Sequence, residues 1–224
     1  MDRFIAAFPA VADGDLALCH EHGVAYQIDQ SQLVDYGEAY FEKCRGYEGQ
    51  EIAERINAGR IALVARHFGP GRVCDVGVGS GEFIRRRPYT FGVDVNPAAV
   101  QWLKESGRWA SDLDSFGAFT FWDVLEHVPE PETYLRHAYL HSFVFLSMPI
   151  MPSLDRIRES KHYRPGEHLY YWTERGLVEW MAWHGFRLLE VCDFETQAGR
   201  ENILSFAFRR YAWPSSPAPS LSPG

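Results

Sequence analysis

The pattern of apolar positions predicts a helix at the start of the central part of the chain. Apolar side chains recur on one helical face between residues 50 and 67, at Ile52, Ile56, Leu63 and Val64. The Gly-Pro-Gly sequence at residues 69–71 interrupts this spacing, because neither residue type continues a helix well. The pattern therefore predicts one helix that leads into a strand.

Short apolar runs then alternate with helical segments. Four runs predict buried strands, namely "RVCDV", "YTFGVDV", "GAFTFWDV" and "SFVFLSMP". The segments between them, "SGEFIRRR", "NPAAVQWLKESG" and "PETYLRHAYL", predict helices, the second with Asn96 as its N-cap and Pro97 at its first position. Strands and helices that alternate in this way indicate a parallel sheet with both faces covered.

The last third of the chain has a different pattern. A helix is expected from Thr173 to His184, where Gly185 ends it. The segments "FRLLEVCDFE" and "ENILSFAFRR" then predict two strands with a short connection at residues 196–200. Such a pair indicates an antiparallel hairpin at the edge of the sheet.

Composition narrows the class of protein. The 224 residues carry 22 basic and 30 acidic side chains, for a net charge of -8. This charge argues against attraction of the whole surface to nucleic acids or anionic membranes, although a local basic patch stays open. The cysteines are widely spaced, at Cys19, Cys44, Cys74 and Cys192, which indicates neither a disulfide framework nor a zinc knuckle. A reducing cytoplasm fits this usage.

The sequence was compared with the patterns of a signal peptide and of a transmembrane helix. "FIAAFPAVA" is apolar, and Ala10-Val11-Ala12 looks like a signal-peptidase site, but the positively charged leading region is missing. We therefore expect no signal peptide. No apolar run approaches 18 residues, so no transmembrane helix is expected.

A glycine-rich stretch follows the first predicted strand of the central part. In "VCDVGVGSGEF" the glycines are Gly77, Gly79 and Gly81, and they allow a tight turn that brings the backbone close to a ligand. The third glycine comes one position earlier than in the dinucleotide fingerprint G-x-G-x-x-G. The carboxylate of Asp75 beside the loop would repel a diphosphate. A cationic ligand without a diphosphate therefore fits better.

A second acidic residue supports a nucleoside ligand. Asp94 ends the next predicted strand, where a carboxylate can accept both ribose hydroxyl hydrogens. S-adenosylmethionine is a positively charged nucleoside that satisfies both features. Taken singly, a glycine loop also serves tight packing, and Asp94 would serve as a helix-capping residue.

With these motifs the chain resembles the class I S-adenosylmethionine-dependent methyltransferases over about residues 50–210. The resemblance rests on "VCDVGVGSGEF", "FGVDVNP", "TFWDVLEHVPEPETYLRH" and "GEHLYYWTERGLVEWMAWHGF". It implies that the glycine loop passes under the methionine part, that Asp94 holds the ribose and that the loop near Asp112 frames the adenine. The implied cofactor-binding residues are Asp75, Gly77, Val78, Gly79, Gly81, Asp94, Val95, Asp112, Leu113, Phe121 and Trp122. Phe116-Gly117 stands where relatives often have Phe-Asp, a departure with little bearing on cofactor binding.

Pattern and resemblance together predict an α/β fold. We expect a doubly wound, mostly parallel seven-stranded sheet with an antiparallel C-terminal hairpin and helices on both faces. Residues 1–49 are expected to form an aromatic-rich lid or cap, residues 50–210 a Rossmann-like methyltransferase domain and residues 211–224 a disordered Pro/Ser tail. The cap would place Tyr36, Tyr40, Phe41 and Tyr47 near the sulfonium, with ordinary core packing as the alternative.

The segment "WDVLEH" carries the candidate chemistry. Because a sulfonium methyl is already activated, the enzyme mainly positions an acceptor and removes a proton. His127 is the leading candidate for the general base, and bracing of the turn at Pro129 is the alternative role.

A metal site is a further hypothesis for the same segment. Asp123, Glu126 and His127 share one side of a helical turn, and with His168 they resemble the ligand set of metal-dependent small-RNA 2′-O-methyltransferases. The first ligand there is Glu, whereas this chain has Asp123. Leu-Glu-His followed by Pro is also common in relatives that use no metal.

The loop "RESKHYRPGEH" supplies candidate substrate contacts. Lys161, His162 and Arg164 would receive a phosphate or carboxylate, and a solvated charged loop is the alternative. The leading hypothesis is a cytoplasmic enzyme that methylates a hydroxyl or amine of a small-molecule or nucleotide-like acceptor. The alternatives are a metal-dependent RNA 2′-O-methyltransferase-like enzyme and a non-catalytic cofactor-binding module. A membrane partner is not expected, nucleic acid is disfavoured by the charge, and the oligomeric state is left open.

Overall fold

The protein, seen here in a computed structural model, is built on one large and one small β-sheet. The structure describes residues 9–31, 34, 36–37, 41–42, 45–46 and 49–212. The strands are β1 (Val11–Asp13), β2 (Leu16–Cys19), β3 (Val24–Gln27), β4 (Val73–Val76), β5 (Thr90–Val93), β6 (Ala118–Trp122), β7 (Phe143–Pro149), β8 (Tyr170–Trp172), β9 (Phe186–Cys192) and β10 (Ile203–Arg210). The helices are α1 (Glu51–His67), α2 (Glu82–Arg86), α3 (Pro97–Glu105), α4 (Glu132–Leu135), α5 (Glu174–Trp183) and α6 (Phe194–Gln197).

The large sheet has the strand order β5-β4-β6-β7-β10-β9. Strands β4, β5, β6 and β7 run parallel to one another, whereas β10 runs antiparallel to both β7 and β9. The register pairs Val76 with Val93 and with Phe121, so the carboxyl ends of β4, β5 and β6 lie at one edge. The predicted parallel sheet with a C-terminal antiparallel hairpin is confirmed, and the short helix α6 lies in the hairpin connection.

The large sheet has six strands in the described residues, where seven were predicted. At the position beside β5 the chain forms a single parallel bridge between Gly92 and Trp109. The Gly92 amide donates to the Arg108 carbonyl at 2.8 Å, and the Ala110 amide donates to the Gly92 carbonyl at 2.9 Å. Asp112 then caps a 3-10 helix, Leu113–Ser115, which turns the chain away before further pairing forms.

The small sheet was not predicted. It has the order β1-β2-β3-β8 and is antiparallel throughout. It joins the edge of the large sheet near Trp172, whose carbonyl accepts from the Met151 amide at 2.8 Å. One residue before β8, the Leu169 amide donates to the Glu126 carbonyl at 2.7 Å. The small sheet thereby fixes the end of the 161–168 loop beside the carboxyl edge of the large sheet.

The helices follow the predicted boundaries with two differences. Helix α1 covers the predicted span, but Ile52 is 40% exposed, whereas Ile56, Leu63 and Val64 are buried. Helix α4 makes one turn, because the segment after Leu135 continues as turns. Thr173 caps α5 by accepting from the Gly176 amide at 3.1 Å. Among the helices that the structure describes, none is both long and apolar enough to cross a membrane.

The predicted N-terminal cap and the predicted C-terminal tail are described only in part. Tyr40, Tyr47 and residues 213–224 lie outside the described residues. Val34, Tyr36 and Phe41 are described, and all three line a cavity at the carboxyl edge of the large sheet.

Candidate active site

A cavity of about 800 Å³ opens at the carboxyl edge of the large sheet. The glycine loop encloses one part, the segment after β6 encloses the other, and helix α1 lines the cavity beside both. We call the part beside Gly77, Gly79 and Asp94 the cofactor half. The part beside Glu126, His127 and His168 is the acceptor half.

The glycine loop needs its glycines for two different reasons. Gly77, Gly79 and Gly81 have φ of 72°, 53° and 76°, a left-handed conformation that favours glycine. A Cβ on Gly77 would lie 2.7 Å from Val124, and one on Gly81 would lie 2.4 Å from the Trp102 ring. A Cβ on Gly79 would meet no described atom within 4 Å. Two glycines therefore allow close packing, while Gly79 faces the cavity.

Asp94 joins the glycine loop to the start of α3. One carboxylate oxygen accepts from the Val78 amide and the other from the Asn96 amide, both at 2.8 Å. Burial raises the pKa of Asp94, and the surrounding backbone N–H groups oppose that shift by favouring the ionised form. Since each carboxylate oxygen has two lone pairs, Asp94 can still accept hydrogen bonds from a ribose in the cavity.

The remaining implied cofactor residues fall into two groups. Val95 and Trp122 line the cavity, whereas the Val78 side chain is buried and contributes its backbone amide. Asp112 and Leu113, by contrast, belong to the capped 3-10 helix and do not line the cavity.

Asp75 and Phe121 lie beneath the glycine loop, inside the sheet. Phe121 is fully buried, and Asp75 is 1% exposed with its carboxylate accepting from the Thr120 hydroxyl at 2.5 Å. Burial raises the pKa of Asp75 to about 7. Asp75 therefore supports the floor of the loop, and its carboxylate does not line the cavity.

His127 is held in one tautomer in the acceptor half. Its Nδ1 lies 2.8 Å from the Glu167 carbonyl oxygen and 2.8 Å from the Tyr36 hydroxyl. Because a carbonyl only accepts, Nδ1 carries the hydrogen and Nε2 has a free lone pair. Burial lowers the pKa of His127, although the Glu167 carbonyl and the charge of Asp123 partly oppose this. The imidazole is therefore a neutral base at pH 7.

Glu126 and His168 lie beside His127. Ligand atoms of these three residues lie within 4.8 Å of one another. Glu126 is 1% exposed, and neither carboxylate oxygen has a hydrogen-bond partner among the described residues. Burial and the nearby Asp123 raise its pKa well above the ordinary value, and burial lowers the pKa of His168 to about 3. A carboxylate with two neutral imidazoles is a donor set that fits a divalent cation.

Asp123, the fourth candidate metal ligand, is engaged elsewhere. Its carboxylate accepts from Arg200 at 2.8 and 3.0 Å and from Arg60 at 3.1 Å. Burial disfavours the ionised form, but the charges of Arg200 and Arg60 outweigh burial and lower the pKa of Asp123. Both arginines also bond to the fully buried Glu195, Arg60 at 2.8 Å. The structure therefore brings together three of the four candidate ligands.

Arg60, Arg200 and Glu195 were missed by the sequence interpretation. Their only signal is a charged side chain in a helix or hairpin connection, which is usually solvated. Arg60 and Arg200 line the cavity, and Glu195 lies behind them.

The candidate substrate loop places two of its residues at the cavity. His162 is buried and bonds to the Glu201 carbonyl at 2.7 Å through Nε2, and Arg164 pairs with Glu167 at 3.0 Å. Lys161 pairs with Glu201 at 3.1 Å and does not line the cavity.

Comparison with known proteins agrees with this geometry. A family model described as a methyltransferase domain matches residues 45–191, about two thirds of the chain. No curated protein sequence matches the chain.

Solved structures share the fold at low identity. One is a Burkholderia thailandensis 1,6-didemethyltoxoflavin-N1-methyltransferase with bound 1,6-didemethyltoxoflavin and S-adenosylhomocysteine. It is 16% identical to this chain with a TM-score of 0.53, and the alignment covers 92% of this chain and 100% of the Burkholderia chain. The Synechocystis PCC 6803 magnesium protoporphyrin IX methyltransferase is 18% identical with a TM-score of 0.51, covering 78% of this chain and 95% of its own. An Aquifex aeolicus SAM-dependent methyltransferase is 12% identical with a TM-score of 0.55, covering 75% of this chain and 97% of its own.

The glycine loop, the carboxylate at the end of β5 and the matched family model lead to one conclusion. The chain belongs to the methyltransferase-domain family and is a class I, Rossmann-like S-adenosylmethionine-dependent methyltransferase.

Proposed function

We propose that this enzyme methylates a hydroxyl or amine of a small-molecule or nucleotide-like acceptor, with His127 as the general base. One observation carries the proposal: a single cavity runs from Gly79 and Asp94 to His127. A cofactor bound at the first two residues would direct its methyl group toward the acceptor half.

The volume and the chemistry of the cavity support a small acceptor. About 800 Å³ lies in the range of small-molecule sites, and the cofactor fills part of it. The Burkholderia thailandensis structural neighbour is a methyltransferase of 1,6-didemethyltoxoflavin, a small molecule. In the acceptor half, the free Nε2 of His127 would accept the proton that the attacking hydroxyl or amine loses.

We also propose that an N-terminal cap covers the cavity and that the protein works in a reducing compartment. Val34, Tyr36 and Phe41 line the cavity, which supports a capping role for residues 1–49. Cys19, Cys74 and Cys192 are free thiols, which supports a cytoplasmic location.

Cofactor binding and turnover test the proposal separately. Calorimetry with S-adenosylmethionine and S-adenosylhomocysteine should give saturable binding to the wild type. A panel of hydroxyl and amine acceptors should yield one class that produces S-adenosylhomocysteine. His127→Ala should keep cofactor binding and lose turnover. Absence of cofactor binding by the wild type would contradict the proposal, as would full turnover by His127→Ala.

A second candidate is a metal-dependent enzyme, and the unpartnered carboxylate of Glu126 favours it. A buried carboxylate without a hydrogen-bond partner is costly, and a divalent cation shared with His127 and His168 would satisfy it. Such a metal would serve as a Lewis acid toward an acceptor hydroxyl. Methylation of an RNA 2′-hydroxyl is the corresponding form of this candidate, although the net charge of -8 disfavours an RNA partner.

Direct metal binding tests the second candidate without any acceptor. Titration with Mn²⁺, followed by electron paramagnetic resonance, should show one bound ion in the wild type. Glu126→Gln and His168→Ala should each weaken this binding, while Lys161→Ala serves as the control outside the cavity. Equal Mn²⁺ binding by all four proteins, or none by the wild type, would reject the metal site.

A further inference from the structure

Three described residues that precede α1 contact both the 161–168 loop and the turn after β5, and two of them, Val34 and Tyr36, line the cavity. We call Val34, Tyr36 and Gly37 the strap. At one end, the Val34 amide donates to the Gly166 carbonyl at 3.0 Å, beside the acceptor half. At the other end, the Asn96 side chain donates to the carbonyls of Tyr36 and Gly37, each at 2.6 Å. The strap therefore links the 161–168 loop to the turn that carries Asp94.

Asn96 uses its whole side-chain amide in this arrangement. Its oxygen accepts from the amides of Ala98 and Ala99, at 2.9 and 3.3 Å, which caps α3. Its nitrogen donates both hydrogen bonds to the strap, and the residue is 4% exposed. Asp or Ser would cap the helix equally well, but neither supplies an amide donor. Asparagine at this position therefore serves the strap as well as the helix.

The backbone of Asn96 also contacts the ribose-binding carboxylate. Its amide donates to Asp94 at 2.8 Å, and the second Asp94 oxygen holds the Val78 amide of the glycine loop. A cofactor that orders Asp94 therefore orders the turn from which the strap is held.

Tyr36 is the strap residue that contacts His127 in the acceptor half. Its hydroxyl lies 2.8 Å from Nδ1 of His127, and the two rings meet edge to face with centroids 5.8 Å apart. The Glu167 carbonyl contacts the same nitrogen at 2.8 Å. Since Nδ1 carries one hydrogen, the two oxygen atoms share it as acceptors, and this three-centre contact fixes the plane of the imidazole and leaves Nε2 available.

We propose that Asn96 and Tyr36 are positioning residues that couple the cofactor half to the acceptor half. Asn96 holds the strap against the Asp94 turn, and the strap places the Tyr36 hydroxyl on His127. Cofactor binding then orders the His127 ring before the acceptor arrives. The inference rests on the proposed function in one respect, since it takes the Asp94 turn as the ribose site.

The test follows the His127 ring by nuclear magnetic resonance, so it needs no acceptor. Ring nitrogen shifts of ¹⁵N-histidine-labelled protein are recorded without ligand and with saturating S-adenosylhomocysteine. The wild type, Asn96→Ser, Asn96→Asp and Tyr36→Phe are compared. Tyr211→Phe is the matched control, because it removes a hydroxyl from a half-exposed tyrosine that does not line the cavity. His127→Gln assigns the signal.

The expected result is a ligand-induced shift of the His127 signals in the wild type and in Tyr211→Phe. In Asn96→Ser, Asn96→Asp and Tyr36→Phe this shift should fall by half or more. Calorimetry should show that the Asn96 variants bind S-adenosylhomocysteine roughly twofold to tenfold more weakly, the effect of one net hydrogen bond. Tyr36→Phe keeps the Asn96 contacts to the strap and should weaken binding less than the Asn96 variants do. Thermal melting checks that each variant is folded, and the two Asn96 replacements give independent chances of a folded protein.

The inference is overturned if the folded variants show the same ligand-induced His127 shift as the wild type. It is also overturned if His127 does not respond to saturating ligand in the wild type. Absence of any S-adenosylhomocysteine binding by the wild type is a different result, because it removes the proposed function itself.

Discussion

The two halves of the cavity are built in different ways. The cofactor half uses backbone amides and one carboxylate from a continuous stretch, residues 77–96. The acceptor half uses side chains from α1, the segment after β6, the 161–168 loop and the connection before β10. A cofactor common to many enzymes can be bound by a local motif, whereas a particular acceptor needs distant side chains brought together. The strap contacts both halves through Tyr36 and Gly37.

The largest expected effect is on turnover, from a substitution in the acceptor half that leaves cofactor binding intact. His127→Ala should lower turnover by roughly 10²- to 10⁴-fold, the contribution of a positioned general base. The affinity for S-adenosylhomocysteine should stay within about twofold, because Asp94 and the glycine loop are untouched. Steady-state kinetics and calorimetry on the same protein check both values. A large loss of cofactor affinity would show that the halves are not separate.

A substitution in the cofactor half should have the opposite effect and weaken cofactor binding. Asp94→Ala removes the acceptor of the Val78 and Asn96 amides as well as the proposed contact to the ribose. We expect roughly 100-fold weaker S-adenosylhomocysteine binding, since hydrogen bonds to a charged group are worth about 1.5–3 kcal/mol each. Asp94→Asn keeps one acceptor oxygen and should lose less. Equal binding by Asp94→Ala and the wild type would contradict the assignment of the ribose site.

The buried ion pairs of the acceptor half should matter for stability. Glu195→Gln leaves Arg60 and Arg200 with Asp123 as their remaining carboxylate partner in the cluster. Breaking such a pair should lower the free energy of unfolding by about 3 kcal/mol. Glu179→Gln is the control, because Glu179 and its partner Arg175 are 40% and 58% exposed, and a surface pair is worth about 1 kcal/mol or less. Urea unfolding should rank the two variants in this order.

The smallest expected effect is a pH dependence of the free energy of unfolding, caused by Asp75 beneath the glycine loop. The pKa of Asp75 is about 7 in the folded protein, above the ordinary value of 3.8. Folding therefore favours the protonated form, and this stabilisation is complete below pH 3.8 and lost as the pH rises through about 7. Asp75→Asn has no such titration and can keep the Thr120 hydrogen bond. Its free energy of unfolding relative to the wild type should rise by roughly 2 kcal/mol between pH 5 and pH 8. A difference that is flat with pH would show that Asp75 stays ionised.

The same contrast explains what the sequence could predict. Alternating apolar runs placed the strands of the large sheet correctly, and the spacing of the glycines and Asp94 identified the cofactor, because both signals are local. Asp123 was assigned to the metal set from its spacing to Glu126 and His127. Its actual partners, Arg60 and Arg200, come from segments far away in the chain, and spacing holds no information about them.

The missed parts of the fold have the same origin. Strands β1 to β3 are short, and their partner β8 lies in the final third of the chain. Trp109 reaches the large sheet by a single bridge, which no pattern of apolar residues distinguishes from a strand. In both cases the structure depends on pairing between segments that are distant in the sequence, which a local pattern does not show.

The small sheet has a consequence for the order in which the protein is made. Val24 pairs with Trp172, and the Thr173 hydroxyl donates to the Gly23 carbonyl, 150 positions earlier in the chain. Strands β1 to β3 are synthesised before the strands of the large sheet but cannot complete their own sheet until β8 has been synthesised. Contacts of such separation form slowly, because the intervening chain must first be closed into a loop. We therefore expect the contact between the glycine loop and Asp94, 16 positions apart, to form earlier in folding than the pairing of β3 with β8, which follows His168 by two residues.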